Sequence, residues 1–329
     1  MDFQSFLTWS TGVAGLESVV RLCETRIAHA FSDIKPDLAA SVSPVRMHRC
    51  DLVRLWCAVR GIPESRIRHT LACEGVRHAL QIILPVLAQQ GRTLALPTDV
   101  YPVYWKLAAQ AGIQTMGLTT FPSFDLEAGL QRLAAADVSV LLLPNPLKLH
   151  GRYWTEKEVA LAEVWLSGHP ERRLIIDAVY TMGEPYGLLL QRLLGSHQVL
   201  LLDSLSKGWL HERTFGSAVV PETDISLFLK PFRALNPNND KLFLARELLT
   251  KAAGLPTRVA LELERRRQSG LSRLASLGIR TMPVERGYLL PVDGGAEELL
   301  AQNSVLTLPA SVFGSSRTDW SMASVLSGA

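Results

Sequence analysis

The chain has 329 residues, of which 47% are apolar, 20% charged and 7% aromatic. This composition is typical of a folded globular protein and excludes a disordered chain, a collagen-like repeat and a coiled coil. The net charge is +3, from 34 basic and 31 acidic residues, and the basic residues are scattered along the chain. No nucleic-acid-binding surface is therefore expected. At about 150 residues per domain, the length predicts two domains.

Four cysteines, Cys23, Cys50, Cys57 and Cys73, all lie in the first quarter of the chain. They form no C-x-x-C pair and have no histidine grouping at zinc-binding spacing, so we expect reduced thiols and no metal site. The N-terminal segment lacks the pattern of a signal peptide. No apolar run approaches the roughly 20 residues that span a bilayer. These features predict a cytoplasmic protein without a membrane partner.

Through the middle of the chain, short apolar runs alternate with segments of helix length. The predicted strands are 93–96, 114–118, 138–143, 174–176, 199–202 and 217–220. The predicted helices are 75–89, 102–111, 126–135 and 155–166. Continuous apolar runs are typical of parallel strands covered by helices on both faces. The alternation predicts an open, mostly parallel α/β sheet, with functional loops at the carboxyl ends of the strands.

After about Pro231 the pattern changes. Asparagine and proline at 236–239 interrupt the chain, long helical stretches follow over 242–277, and short extended runs at 288–291 and 304–308 surround a Gly-Gly pair. We predict a large domain over residues 45–235, and a smaller α+β domain formed by residues 1–44 and 236–329.

Three predicted strands run directly into polar residues. One leads to Asn145, the second to Asp177 with Tyr180 three residues later, and the third to Lys207. Taken singly, these residues are ordinary: Asn-Pro is common in turns, Asp caps helices, and Lys is usually solvated. In this order, spaced 32, 3 and 27 residues apart, they resemble the site of the fold-type I pyridoxal-phosphate enzymes, and most closely the class I/II aminotransferases.

A second motif carries the same resemblance. Ser204-Leu-Ser-Lys207, followed by Arg213 and Gly216, is similar to the S-x-S-K box of that family with its downstream arginine and glycine. The resemblance covers roughly residues 70–220 closely and the remainder loosely. It implies the fold-type I architecture, a pyridoxal 5′-phosphate cofactor and a homodimer.

The resemblance implies a role for each residue at the strand ends. Lys207 would form the Schiff base with the cofactor aldehyde and move protons, which a desolvated lysine amine does well. Asp177 would keep the pyridine nitrogen protonated, so that the ring accepts electrons. Asn145 and Tyr180 would hydrogen-bond the ring oxygen. Lys207, Asp177 and Tyr180 are thus the expected catalytic residues.

The phosphate of the cofactor needs a separate group of donors. By resemblance these are the backbone amides of Gly75 and Val76, where a turn opens a helix whose dipole suits a dianion. Ser204, Ser206 and Arg213 would complete the phosphate site, the guanidinium as a bidentate partner.

Two aromatic residues and one arginine near these segments are assigned differently. Tyr101 lies where the family has an aromatic residue that stacks on the pyridine ring, and stacking on an electron-poor ring is favourable. Tyr104 fits better as an anchor for the following helix. Arg77 is expected on a helix surface.

The resemblance weakens near the C-terminus. Family members usually have an arginine there, in a short strand, that binds the substrate α-carboxylate. Ser321 occupies the matching position, and Arg317 or Arg286 would serve only if the register differs. Ordinary α-amino acids are therefore expected to be poor substrates.

The sequence thus predicts an aminotransferase-like enzyme, active on a small-molecule amine or an unusual amino acid and belonging to biosynthesis. The same cofactor chemistry also supports a lyase, a decarboxylase or a cyclase, since these differ only in which substrate bond breaks. A non-catalytic cofactor-binding protein is the third alternative, and retention of Asn145, Asp177, Tyr180 and Lys207 together argues against it.

Overall fold

A computed structural model describes residues 1–13, 19–36, 48–100, 102–235 and 237–327. Its strands are β1 Val20–Leu22, β2 Thr70–Cys73, β3 Thr93–Pro97, β4 Gln114–Leu118, β5 Val140–Pro144, β6 Arg173–Asp177, β7 Val199–Ser204, β8 Gly216–Val219, β9 Leu289–Asp293, β10 Val305–Pro309 and β11 Trp320–Ser324. Its α-helices are α1 Phe3–Val13, α2 Ile27–Ala30, α3 Arg49–Arg60, α4 Val76–Gln89, α5 Val103–Ala111, α6 Leu126–Ala135, α7 Glu156–Ser167, α8 Leu188–Gly195, α9 Ile225–Ala234, α10 Asn239–Lys251, α11 Leu255–Ser276 and α12 Ala296–Asn303.

Strands β2 to β8 form one sheet in the order β2-β8-β7-β6-β5-β3-β4. The five strands from β7 to β4 are parallel, and β8 runs antiparallel to both of its neighbours. Every residue of β5, β6 and β7 is buried. Alternate residues of β5 enter opposite cores, Leu141 and Leu143 on one face and Val140 and Leu142 on the other. The predicted mostly parallel α/β sheet is confirmed.

The second sheet has the order β1-β10-β11-β9. Strand β1 is parallel to β10, and the other two pairings are antiparallel. The core beside this sheet also receives Leu149, Met182 and Leu210, which lie in loops that follow strands of the large sheet. The carboxyl edge of the large sheet therefore packs against the smaller sheet.

Helix α10 lies in the segment that the sequence assigned to the small domain. Its buried face, Leu242, Ala245, Leu248 and Leu249, nevertheless packs in the core of the large sheet and against α3. These positions repeat at helical spacing, and their partners are distant in sequence. The sequence pattern changes after Pro231, but the chain still contributes to the core of the large sheet as far as α10.

A buried ion pair joins α3 to β7. Arg60 is fully buried, Asp203 is 1% exposed, and Arg60 Nη2 lies 2.6 Å from Asp203 Oδ2. The Tyr186 hydroxyl donates to the same carboxylate oxygen at 2.7 Å. Arg60 also donates to the Thr181 hydroxyl and the Glu184 carbonyl oxygen. The pair thus connects the end of β7 to the loop after β6.

Replacing Arg60 by methionine is expected to lower the free energy of unfolding by about 3–5 kcal/mol, because the Asp203 carboxylate would stay buried without its cation. Denaturant unfolding measures the change. Arg68→Met is the matched control, since Arg68 is exposed, and it should change stability by less than about 0.5 kcal/mol. Equal losses of stability from the two substitutions would contradict the role assigned to the ion pair between Arg60 and Asp203.

Candidate active site

A cavity of about 720 Å³ lies at the carboxyl ends of β6 and β7 and the N-terminus of α4. Its volume is in the range of small-molecule sites. The wall also includes Thr25, Arg26, Tyr288 and Phe313, which come from segments around the smaller sheet. The cavity is therefore built where the two sheets meet.

Asp177 ends β6 and is 4% exposed. Its Oδ1 accepts a hydrogen bond from the Val179 amide at 3.0 Å, and its Oδ2 accepts from the Tyr104 hydroxyl. Burial raises the pKa of this carboxyl to about 6, although both hydrogen bonds favour the charged form. A cationic group placed beside it would favour the carboxylate further.

Lys207 lies in the turn after β7, with its Nζ 5.8 Å from the centroid of the Tyr180 ring. Burial lowers the pKa of its amine, and the charges of Glu212 and Asp177 oppose that shift. The residue after Lys207 is a glycine, Gly208. A Cβ at this position would lie 2.4 Å from the Met182 carbonyl oxygen, which is too close for any other residue. The turn therefore presents Lys207 to the cavity in close contact with the loop after β6.

Helix α4 begins at the cavity wall. Its N-cap, Gly75, has φ +139° and no side-chain capping bond. The first N–H groups of a helix have no partner within the helix, so this turn offers backbone donors starting at Val76. Ser204 and Ser206 lie beside it, with their hydroxyl oxygens 2.8 Å apart, and the exposed Arg213 completes this part of the wall. Such a group of donors suits a phosphate.

Lys148 also lines the cavity, from the loop after β5. Its Nζ lies 5.1 Å from the ring centroid of Tyr180, 5.5 Å from that of Phe313 and 6.0 Å from that of Tyr288. Burial lowers the pKa of this amine to about 7; the charge of Lys207 adds to the shift, and Asp177 opposes it. A second amine is thus held among aromatic rings beside the first.

Tyrosine hydroxyls connect the two sheets across the cavity. The Tyr180 and Tyr288 hydroxyl oxygens are 3.4 Å apart, and Tyr288 donates to the Thr25 carbonyl oxygen at 3.4 Å. Burial raises the pKa of Tyr180 well above its ordinary value. Tyr180 is therefore a neutral hydrogen-bonding group at neutral pH.

Most of the sequence-predicted site residues line this one cavity: Gly75, Val76, Asp177, Tyr180, Ser204, Ser206, Lys207 and Arg213. Asn145 is placed differently. It is 2% exposed, its Oδ1 accepts from the Trp154 amide at 3.2 Å, and it is not among the described residues that line the cavity. Tyr101 lies outside the described residues.

Among the lining residues that were not predicted as site residues are Tyr104, Lys148, Tyr288 and Phe313. Tyr104 was expected only to anchor a helix, yet its hydroxyl binds Asp177. Lys148 follows Asn145 by three residues, so its place in the loop after β5 is the sequence feature that could have identified it. Tyr288 and Phe313 come from the C-terminal part of the chain, and no local pattern relates them to the strand ends.

None of the three positions considered for a carboxylate-binding arginine lines the main cavity, although Arg286 lines a small adjoining cavity together with Lys148 and Tyr180. Ser321 is fully buried, accepts from the Thr307 hydroxyl at 2.9 Å and donates to the Gly294 carbonyl oxygen at 2.9 Å. Arg317 pairs with Asp319. Arg286 Nη1 lies 3.6 Å from Glu184 Oε2, and its guanidinium lies over the Tyr153 ring.

Within the described ranges, no three or more His, Cys, Asp or Glu side chains are grouped as a metal site. None of the described helices combines the length and the apolar character that crossing a membrane requires.

The lowered pKa of Lys148 has a consequence for stability. In the unfolded chain this amine titrates near 10.5, so at neutral pH unfolding takes up protons, and the ammonium destabilises the ligand-free fold most below about pH 7. Lys148→Met is therefore expected to stabilise the ligand-free protein by at least about 1 kcal/mol at pH 7, and much less at pH 10.

Thermal unfolding at the two pH values measures this difference. Lys106→Met is the control, since Lys106 is exposed on α5, and its effect should be small at both values. A Lys148→Met protein that is less stable than wild type at pH 7 would contradict the prediction.

The chain was compared with known proteins. No protein-family model and no curated protein sequence matches it. Solved structures do match. An aromatic aminotransferase from Pyrococcus horikoshii has 16% identity, with 98% of this chain and 94% of that chain covered at a TM-score of 0.76. YbdL from Escherichia coli, for which a methionine aminotransferase function is described, has 16% identity, 98% and 93% coverage and a TM-score of 0.75.

A third match is a pyridoxal-phosphate-bound C–S lyase from Staphylococcus hominis, with 13% identity, 94% and 88% coverage and a TM-score of 0.75. Nearly the whole length of each protein is therefore superimposable, although few residues are identical. The chain has the fold of the class I/II aminotransferases, as the resemblance of its motifs predicted.

Proposed function

We propose that the protein is a pyridoxal-phosphate-dependent, aminotransferase-like enzyme that acts on an amine or an unusual amino acid through Lys207. The observation that carries the proposal is the convergence of Lys207, Asp177 and Tyr180 on one cavity, with the uncapped start of α4 in its wall. Lys207 and the start of α4 are distant in sequence from Asp177 and Tyr180, and a purely structural role would not require them to meet.

The cavity fits the cofactor on the chemistry of its donors. Gly75 suits the helix start because its φ of +139° is a backbone conformation that other residues rarely adopt; a Cβ there would make only an ordinary contact, 3.7 Å from the Ser204 Cβ. With the first backbone N–H groups of α4, Ser204, Ser206 and Arg213 would hold the phosphate. Asp177 would bind the ring nitrogen. Bound there, the cofactor would supply an aldehyde that condenses with amines and a ring that accepts electrons.

Lys207 and Asp177 would perform the two proton-related tasks. Lys207, with its lowered pKa, would exchange places with the substrate amine and then carry a proton to or from the substrate carbon. Asp177 is ionised more readily once a cation lies beside it, and the Tyr104 hydroxyl orients its carboxylate. Tyr180 would donate a hydrogen bond at the ring oxygen.

A lyase is the second candidate. The structural match to a pyridoxal-phosphate-bound C–S lyase covers 94% of this chain, close to the coverage of the aminotransferase matches. The groups that bind the cofactor and move protons are shared by the two chemistries, so the choice depends on the substrate.

We further propose a cytoplasmic homodimer with a biosynthetic role. The four cysteines are all unpaired, which suits a reducing compartment. The homodimer follows from the resemblance to fold-type I enzymes.

The proposal is tested with purified protein and pyridoxal phosphate. Wild type and the control Lys106→Ala are expected to develop the visible absorbance band of a covalently bound cofactor, and Lys207→Ala is not. A panel of amines and amino acids is then added with a keto acid. Transfer of the amino group to the keto acid identifies a transaminase, whereas release of a keto acid and ammonia without an acceptor identifies a lyase. A normal, borohydride-reducible band in Lys207→Ala would overturn the proposal.

Asp177→Asn is expected to retain some cofactor but to lose turnover by at least about a hundredfold, because an amide does not balance the charge of the protonated ring. Tyr104→Phe is the matched control: it removes the hydroxyl that donates to Asp177 but keeps the carboxylate, so its loss should be smaller. Both are measured as kcat under saturating cofactor. Near-normal kcat in Asp177→Asn would assign this residue a structural role.

A further inference from the structure

The described cavity wall contains five lysine and arginine side chains, and they differ in their surroundings. Arg26, Arg77 and Arg213 are exposed, and Arg26 pairs with Glu24. Lys148 and Lys207 are only partly exposed and lie against the same ring, each with its Nζ within 6 Å of the Tyr180 centroid. Lys207 is assigned to the cofactor by the proposed function. Lys148 has no role in that chemistry.

The surroundings of Lys148 confine its ammonium group to the cavity. Among the described residues, three rings lie close to it: Tyr180 follows β6, whereas Tyr288 and Phe313 belong to the region of the smaller sheet. Aromatic faces attract a cation without neutralising its charge. In a partly desolvated cavity that attraction is stronger than in water.

The position of Lys148 indicates which anion it would bind. The donors suited to phosphate are at the start of α4 and in the segment of Ser204 and Ser206. Lys148 instead contacts rings from the region of the smaller sheet. Two arginines in that region are paired within the protein: Arg26 of the cavity wall pairs with Glu24, and Arg286, which lines a small adjoining cavity with Lys148, lies 3.6 Å from Glu184. A substrate whose amine reaches Lys207 would bring its neighbouring groups toward Lys148, since both lysines lie over Tyr180.

We propose that Lys148 binds the carboxylate of the substrate, so that the substrates are amino acids whose carboxylate lies close to the reacting amine. This inference rests on the proposed function. The Lys148 ammonium group, held among aromatic rings, would take the role of the carboxylate-binding arginine whose expected position is occupied by Ser321. Lys148 is then a specificity-determining residue that contacts substrate.

The test uses the cofactor-loaded, full-length protein and matched pairs of probes that differ only in the carboxylate: L-phenylalanine with phenethylamine, and L-alanine with ethylamine. Dissociation constants are read from the change in cofactor absorbance. In wild type the carboxylate-bearing probe of at least one pair should bind more tightly. Lys148→Met should weaken that probe by tenfold or more and leave its amine partner nearly unchanged.

Three further variants test whether the preference for the carboxylate depends specifically on the charge of Lys148. Lys148→Arg should restore part of the preference for the carboxylate, because it keeps the charge. Lys106→Met, outside the cavity, should bind both probes as wild type does. Arg286→Met should also keep the preference, since that guanidinium is paired with Glu184. If Lys148→Met does not fold, Lys148→Gln and Lys148→Arg provide the comparison.

Several outcomes would overturn the inference. Equal weakening of both probes, or loss of the preference in Arg286→Met rather than in Lys148→Met, would do so. If Lys148→Met changes the pH at which the cofactor absorbance band titrates but keeps the preference for the carboxylate-bearing probe, Lys148 would be assigned to the ring oxygen of the cofactor instead. A wild type that binds neither carboxylate probe more tightly than its partner also excludes it. Failure of the wild type to bind cofactor would instead overturn the proposed function.

Discussion

Two carboxylates are held away from water at the ends of neighbouring strands, and the cavity depends on how each is stabilised. Burying a carboxylate costs several kcal/mol unless a partner compensates. Asp203 has a full cation in Arg60, and its Oδ1 accepts from the Ser204 amide at 2.7 Å, which orders the end of β7. Asp177 accepts from two neutral donors, the Tyr104 hydroxyl and a backbone amide. Burial raises the pKa of both carboxyls, but the first has its cation within the protein, whereas the second accepts from neutral donors and suits a cationic ligand.

The same environment contains two amines, Lys148 and Lys207, whose pKa values are both lowered. Burial is the main cause for each, and their mutual repulsion adds to the shift of Lys148. A ligand-free protein gains no stability from this arrangement. Sites arranged for binding or catalysis commonly reduce stability in this way, because their charges are placed for a ligand that the empty cavity lacks. Tyr180 lies against both amines, so its ring is a shared contact of Lys148 and Lys207.

Local pattern was enough to predict most of the large sheet. The strands predicted at 93–96 and 174–176 are observed as Thr93–Pro97 and Arg173–Asp177, because a short apolar run covered on both faces has few other stable placements. Strand β2 was not predicted, since Thr70–Cys73 is short and lies between two helical segments. Helix α10 shows the same limit at the level of domains: its apolar face is visible in the sequence, but which core receives it depends on α3, nearly 200 residues earlier.

By itself the sequence determined the order of strands and helices, and the presence of Asp177, Tyr180 and Lys207 at strand ends. It did so because hydrophobic periodicity and strand-end position are properties of contiguous residues. Only the tertiary structure decided that Lys148 rather than Asn145 lines the cavity, that Tyr104 binds Asp177, and that Tyr288 closes the wall. Those facts depend on the direction of single side chains and on contacts between segments far apart in the chain, and neither leaves a signal in local spacing.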